Sequence, residues 1–135
     1  MAAQLEGRAK EIFDAPNYVT VSIPRADGSI QSVVVWASVD GDKLELNSAI
    51  GRGWPANLQR AKRATVLAMG EGNPYEWVSY EGELEEATTE GADEHIDALA
   101  KKYLGVDSYP YRNSEEQRIR FTLSPTRIRY QPPQA

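Results

Sequence analysis

The segment covering residues 44–66 holds the residue types and the spacing in this chain that are best suited to binding a phosphate. Its polar pair Asn47-Ser48 is followed by a glycine-flanked arginine, Gly51-Arg52-Gly53, and Pro55 then stands in the expected first turn of a short helix. Open N–H groups at a helix start attract anions, and glycines let the backbone approach a ligand closely. The segment therefore predicts a phosphate site. The alternative is a plain strand–loop–helix whose charges face water.

Other residues with catalytic potential are isolated in the sequence. His95 is the only histidine, and the acidic residues around it on an expected helix favour a solvated side chain over a catalytic base. Without a second histidine or any cysteine, neither a metal site nor a nucleophilic triad is expected. Three tyrosines are plausible proton donors, although packing is the favoured role: Tyr103, Tyr109 and Tyr111. No catalytic residue is assigned from the sequence.

Composition limits the class of protein. A chain of 135 residues with 41% hydrophobic and 26% charged residues is expected to form one globular domain over residues 1–135. A net charge of −5 argues against nucleic-acid binding, whose affinity depends on cationic contacts to phosphates. No apolar run is long enough to cross a bilayer, the first residues lack the apolar core of a signal peptide, and cysteine is absent. A soluble cytoplasmic protein with no membrane partner is expected.

Alternating apolar residues and turn signals predict the elements that position the phosphate segment. Five or six strands are expected, at residues 17–23, 30–39, 43–47, 65–69, 75–87 and 117–130, the last interrupted at Ser124-Pro125. Helices are predicted over Gln4–Asp14, from about Pro55, and from a cap at Thr88-Thr89 to a stop at Gly105. Antiparallel strands joined by short turns, with flanking helices, predict a mainly β fold in the form of a small barrel.

The order of five segments resembles a known family. They are VWASVDGDKLELNS, GRGWPANLQR, EWVSYEGELEEAT, HIDALAKKYLGVDSYPYR and RIRFTLSPTRIR. Together they resemble the split β-barrel proteins that bind FMN or the deazaflavin coenzyme F420, the pyridoxamine 5'-phosphate oxidase-like group. Within that group the chain is most similar to the F420-dependent reductases of actinobacteria, and the likeness covers nearly the whole chain. It implies a split barrel that transfers a hydride from reduced F420 to an unsaturated organic substrate.

The resemblance also implies a set of cofactor-binding residues. Ser48 and Arg52 would donate to the cofactor phosphate, since a guanidinium forms paired, charge-assisted bonds to phosphate oxygens, and Asn57 would brace the loop. The strand at residues 32–36 and Trp77 match positions that line the ring system in relatives. The complete predicted set is Ser32, Val34, Trp36, Asn47, Ser48, Gly51, Arg52, Gly53, Trp54, Asn57 and Trp77.

Trp54 departs from the family pattern, which usually has a lysine at this position. The change removes a cation from the phosphate site. An indole on a flexible, glycine-flanked loop could stack on a flat ring, or it could block the pocket. Two alternatives to the F420 reductase therefore stay open. One is an FMN-binding oxidoreductase of the same fold, and the other is a non-catalytic binding protein for a planar or lipid-like ligand.

The resemblance further implies a homodimer, because the cofactor in this family lies between two subunits. The loop Tyr109–Arg112 is expected to reach across that interface. The sparse acid–base chemistry of the chain is consistent with an enzyme of this type, because the cofactor carries the hydride chemistry while the protein binds, orients and shields it.

Overall fold

The computed structural model of the protein describes residues 3–133. Within that range the elements are α1 Gly7–Asp14, β1 Val19–Pro24, β2 Ile30–Val35, β3 Ala37–Asp40, β4 Lys43–Ala49, α2 Gly53–Ala61, β5 Arg63–Gly70, β6 Asn73–Thr88, α3 Ala92–Leu104 and β7 Arg118–Gln131. The strands form one antiparallel sheet in the order β2-β1-β5-β6-β7-β4-β3. The sheet is curled into a half-barrel, so the predicted mainly β, split-barrel fold is confirmed.

The described sheet has seven strands because the predicted strand at residues 30–39 is divided at Trp36. Its first part, β2, pairs with β1, whereas its second part, β3, pairs with β4. These two partners lie in opposite halves of the sheet. The chain must therefore change partner at Trp36, and residue alternation alone does not reveal such a change.

The last strand is continuous, so the predicted interruption at Ser124-Pro125 is wrong. Pro125 lies opposite Gly82 in the β6–β7 pair, and the register of that pair shifts between Glu81 and Gly82. A proline has no N–H to give to a ladder, and an irregular position in the pairing can accommodate it. The shift therefore lets β7 run on to Gln131.

Helix boundaries differ from the prediction at two starts. Helix α1 begins at Gly7 rather than Gln4. Helix α3 begins at Ala92 after a left-handed Gly91, because Thr88 still belongs to β6 and pairs with Arg120. Its end at a left-handed Gly105 agrees with the prediction. At 13 residues, α3 is the longest described helix, and none is long and apolar enough to cross a membrane.

The core lies on the concave face of the sheet, where α1 and α2 close it. Its largest fully buried side chains include Phe13, Leu46, Leu58, Tyr80 and Phe121. The opposite, convex face of β2, β1 and β5 is uncovered and apolar. We call it the outer apolar face, and its exposed side chains are Tyr18, Ile30, Val34, Leu67 and Met69.

Candidate functional site

The connection between β4 and α2 holds an exposed arginine at a helix start. Arg52 is the residue before α2, and no side chain among the described residues caps this nine-residue helix. The Arg52 side chain is half exposed, and its Nη2 donates to Glu116 Oε1 at 2.7 Å. This contact is the main cause that lowers the pKa of Glu116. A guanidinium and a helix start at one surface can receive an anion, which would compete with Glu116 for the arginine.

Gln31 links this arginine loop to the beginning of β2. Asn57 Nδ2 donates to Gln31 Oε1 at 3.2 Å, and Asn57 Oδ1 accepts from Arg60 Nη2 at 3.0 Å. A Cβ added to Gly53 would lie 3.7 Å from Gln31 Nε2, so the loop backbone passes close to the same side chain. From Gln31 the strand continues with the exposed residues Ser32 and Val34.

A cavity of about 270 Å³ lies at the other end of β2, against α3. Trp36 is stacked on Tyr103 with ring centroids 5.2 Å apart, and Tyr109 meets Trp36 edge-on at 6.2 Å. Asp97 holds the loop that carries Tyr109, since its Oδ1 accepts from the Tyr109 N–H at 2.8 Å. The walls are mainly aromatic and aliphatic, and the polar residues among those lining the cavity are Asn47 and Arg118, apart from the tyrosine hydroxyls.

A hydrogen-bonded network holds the polar wall of this cavity. Arg118 Nε donates to Asn47 Oδ1 at 2.9 Å. Asn47 Nδ2 donates to Ala92 O at 2.9 Å and contacts His95 Nδ1 at 3.1 Å. Because the amide nitrogen can only donate, His95 Nδ1 accepts, so the ring proton is on Nε2, which donates to Ser38 Oγ at 2.8 Å. The network joins β3, β4, α3 and β7.

The prediction that His95 is a solvated surface histidine is wrong. Its ring is partly buried and both nitrogens are hydrogen-bonded to side chains. Burial is the main cause that lowers its pKa to about 4, and the charges of Arg120 and Arg118 act in the same direction. The sequence neighbours of His95 are acidic, but the side chains that meet it come from other elements. Its environment therefore depends on how α3 packs against the sheet.

Two of the predicted cofactor residues face the interior. Ser48 is buried, and its hydroxyl has no hydrogen-bond partner among the described residues. By strand alternation it shares the core face of β4 with Leu44 and Leu46, so this hydroxyl is not presented to a ligand at the arginine loop. Trp54 is only 7% exposed and packs on Phe121 at 5.5 Å. The expected flexible indole is wrong, because Trp54 belongs to α2 and the core.

Trp77 lies apart from the other predicted residues within one chain. Strand β6 is three strands away from β2, a separation of roughly 14 Å at about 4.8 Å per strand spacing. The guanidinium of Arg129 lies 5.2 Å from the Trp77 ring centroid, in a separate groove of about 580 Å³. The structure thus brings Val34, Trp36 and Asn47 together around one cavity and leaves Trp77 in another.

Residues outside the predicted set complete the site: Gln31, His95, Glu116 and Arg118. Arg118 and Arg120 alternate with apolar residues in β7, a pattern that indicates a strand and no more. Pairing of Ala49 with Arg118 in the β4–β7 ladder brings Arg118 next to the end of β4. Nothing in the local sequence signals that neighbour.

Comparisons with known proteins support the fold. No family model and no curated protein matches the sequence. An F420 reductase of known structure superposes with a TM-score of 0.80, at 20% identity over 89% of this chain and 94% of that chain. A conserved hypothetical protein of Mycobacterium tuberculosis gives a TM-score of 0.72, at 17% identity over 96% of this chain and 86% of that chain.

A third similar structure is a protein of Listeria innocua, provisionally assigned as a pyridoxamine 5'-phosphate oxidase. It gives a TM-score of 0.60, at 19% identity over 84% of this chain and 86% of that chain. Structural neighbours of this chain are thus pyridoxamine 5'-phosphate oxidase-like split barrels, an F420 reductase among them. The chain has the split β-barrel fold of these proteins.

Proposed function

We propose that the protein is an F420-dependent oxidoreductase that passes a hydride from the reduced deazaflavin to a small unsaturated organic substrate. The observation that carries this proposal is the arrangement along β2. An exposed arginine at a helix start adjoins one end of the strand, and an aromatic cavity adjoins the other. A phosphorylated, flat cofactor needs an anion site for its phosphate and an apolar surface for its ring, and these two features lie at opposite ends of β2. The structural likeness to an F420 reductase supports the same assignment.

The residues fit such a cofactor at two places. Arg52, with the uncapped start of α2, would hold the phosphate, and the contacts of Asn57 with Gln31 and Arg60 would brace that loop. The exposed side chains of Ser32 and Val34, with Trp36, would face the ring. Ser48 and Trp54 have no part in this assignment, because both side chains face the core.

The bound deazaflavin would supply the hydride chemistry, and the chain would supply binding and shielding from water. Trp36, Tyr109 and Tyr111 provide an aromatic wall beside β2. Tyr103 is unsuited to proton donation, because its hydroxyl donates to Asn17 O at 2.7 Å and burial raises its pKa. Tyr109 and Tyr111 line the cavity and are better placed for that role.

A homodimer is part of the proposal. The outer apolar face carries the ring-facing residues Ser32 and Val34, and Trp77 belongs to the same face of the sheet further along. A second copy that covered this face would bury its apolar side chains and could bring its own Trp77 towards the first subunit's cavity. The separation of Trp77 from β2 within one chain is then explained, since the two would meet only between subunits.

Titration of the purified protein with F420 and with FMN tests the proposal. F420 should bind, and the reduced form should be consumed when an unsaturated acceptor is added. Replacing Arg52 by Ala should weaken F420 binding roughly 10- to 150-fold, the equivalent of about 1.5–3 kcal/mol for a hydrogen bond to a charged group. Lys101→Ala, an exposed cation on α3, removes the same charge elsewhere and should leave the affinity unchanged.

FMN is the second candidate cofactor, because a structural neighbour is assigned as a pyridoxamine 5'-phosphate oxidase. A yellow protein that binds FMN and ignores F420 would replace the proposed cofactor while keeping the site. Absence of binding to either cofactor by a folded protein would favour the non-catalytic ligand-binding protein.

A further inference from the structure

Arg118 lines a largely apolar cavity, and its guanidinium has N–H groups that make no hydrogen bond within the described residues. Its side chain is only 6% exposed, and its guanidinium lies 5.2 Å from the Tyr109 ring centroid. Nε donates to Asn47 and Nη1 donates to Glu116 Oε2 at 3.3 Å. Nη2 has no hydrogen-bond acceptor among the described residues, and it is not one of their fully buried unpaired atoms, so its N–H groups stay accessible to a ligand.

The charge of Arg118 is only partly compensated. Glu116 is shared, since one oxygen accepts from Arg52 and the other from Arg118. Two guanidinium groups thus face one carboxylate, and none of the described residues that line the cavity is acidic. An incoming anion would meet a cation that is shielded from water, where electrostatic attraction is stronger than at the surface.

The guanidinium is also fixed in direction. Asn47 can accept from Arg118 only while its amide nitrogen faces Ala92 O and His95 Nδ1. His95 is in turn held by Ser38. His95 and Asn47 are therefore positioning residues, which fix the orientation of Arg118 at the polar wall of the cavity.

We propose that this cavity binds a compact, flat molecule that carries one carboxylate, with Arg118 receiving the carboxylate through Nη2 and with Trp36 and Tyr109 against the apolar part. The Nη2 group can give a carboxylate oxygen a charge-assisted hydrogen bond while Nε and Nη1 keep their partners. The volume of about 270 Å³ is just below the range of roughly 300–1,000 Å³ for drug-sized ligands, so the ligand is small. Arg52 and Arg118 share the single carboxylate of Glu116, and the resulting excess of one positive charge matches a single negative charge.

The inference rests on the proposed function in one respect. A ligand in this cavity would lie beside Val34 and Trp36, the part of β2 assigned to the ring, so it would occupy the place of the hydride acceptor. Binding of the ligand alone does not depend on which cofactor the protein uses. The test is therefore made without any cofactor, so that failure of the inference and failure of the proposed function can be told apart.

The test compares 2-naphthoate with 2-naphthamide, which have nearly the same shape and differ in charge. Dissociation constants would be measured by calorimetry on the full-length protein at neutral pH. We expect the carboxylate to bind at least about tenfold more tightly than the amide, the lower end of the effect of a charged hydrogen bond. Arg118→Met should abolish this preference. Lys43→Met is the control, because Lys43 pairs with Glu85 and does not line the cavity, so the variant removes one positive charge elsewhere and should keep the preference.

Equal affinities of the two probes for the unmodified protein would overturn the proposal, as would an Arg118→Met variant that keeps the preference. If Arg118→Met does not fold, NMR of the unmodified protein decides. Naphthoate should then shift the Trp36 indole resonance and the methyl resonances of Ile96 and Leu99, and naphthamide should do so only at higher concentration. Shifts confined to Trp77 would place the site elsewhere and contradict the proposal.

Discussion

At the scale of single residues, His95 links the stability of the protein to pH. Its Nδ1 accepts from Asn47, so the fold requires the unprotonated atom. Its pKa is lowered to about 4 in the folded protein, against an ordinary value of 6.5. Between these two values the unfolded chain binds more protons than the folded chain. The free energy of unfolding therefore falls as the pH falls from 6.5 towards 4.

We predict that His95 accounts for a loss of about 3 kcal/mol over this interval, since one pKa unit corresponds to about 1.36 kcal/mol. Carboxylates titrate in the same range, so the contribution must be isolated by His95→Gln, which keeps a polar side chain and does not titrate. Urea unfolding at a series of pH values would be measured for both proteins. The difference between their free energies of unfolding should change between pH 6.5 and 4. A constant difference would show that folding does not lower the pKa of His95.

Trp54 gives a second prediction at this scale. Its indole fills space against Phe121 in the core, so Trp54→Lys should not restore a phosphate site. Loss of a buried tryptophan costs about 3–5 kcal/mol in comparable cases, and the lysine charge would add to that. Thermal unfolding should show a large loss of stability, with a much smaller loss for Trp54→Phe, which keeps an aromatic contact. A stable Trp54→Lys protein that binds F420 more tightly would mean that the indole does not occupy the core.

At the scale of elements, the carboxylate of Glu76 adds a polar attachment between α1 and the sheet to the packing of α1 in the core. Glu76 on β6 accepts two bonds from Arg8, both 2.9 Å, and one from Tyr130 at 2.6 Å. Arg8 is the first cause that lowers the pKa of Glu76, to about 2, and Tyr130 is the second. Gly70 makes room for this carboxylate, because a Cβ there would clash with Glu76 Oε1.

Gly70→Ala should therefore displace Glu76 and weaken the attachment of α1. We expect a loss of about 1–3 kcal/mol in the free energy of unfolding, as for other changes that overfill a packed site. Gly53→Ala is the control, since its added methyl would meet only Gln31 Nε2 at 3.7 Å, an ordinary contact. Urea unfolding compares the two variants. Equal stabilities would show that Glu76 can move aside without cost.

At the scale of the whole molecule, the outer apolar face predicts association. A dimer of about 30 kDa, twice the 15.0 kDa chain, is expected by sedimentation at micromolar concentration. Leu67→Glu should give a folded monomer, because Leu67 is 41% exposed on that face and the charge would be buried only in the dimer. Leu104→Glu is the matched control, because Leu104 is 40% exposed but lies at the end of α3, and this variant should leave the dimer intact. A monomeric unmodified protein would remove the basis for a site shared between subunits.

The sequence alone predicted most of the elements because their signals are local. Alternation in residues 17–23 and 75–87, a helix with Pro55 in its first turn and the helix end at Gly105 depend on neighbours within a few residues. The errors arose where the structure depends on pairing between strands that are far apart in the sequence. Trp36 divides a predicted strand because β2 and β3 pair with different partners, and Pro125 is tolerated because the partner strand shifts register.

The candidate site was predictable only in part for the same reason. Residue types and family resemblance pointed to Arg52, Asn57, Val34 and Trp36, and the contacts of Asn57 join the arginine loop to β2. Whether the side chains of Ser48 and Trp54 point to the core or to the loop surface could not be derived from the sequence. That orientation is set only when the sheet and α2 have packed. What the sequence by itself determined is the position of most strands, the split-barrel resemblance and the arginine loop. Only the tertiary structure decided that His95, Asn47 and Arg118 meet in one hydrogen-bonded network beside the cavity, because three elements far apart in the chain must pack before their side chains are neighbours.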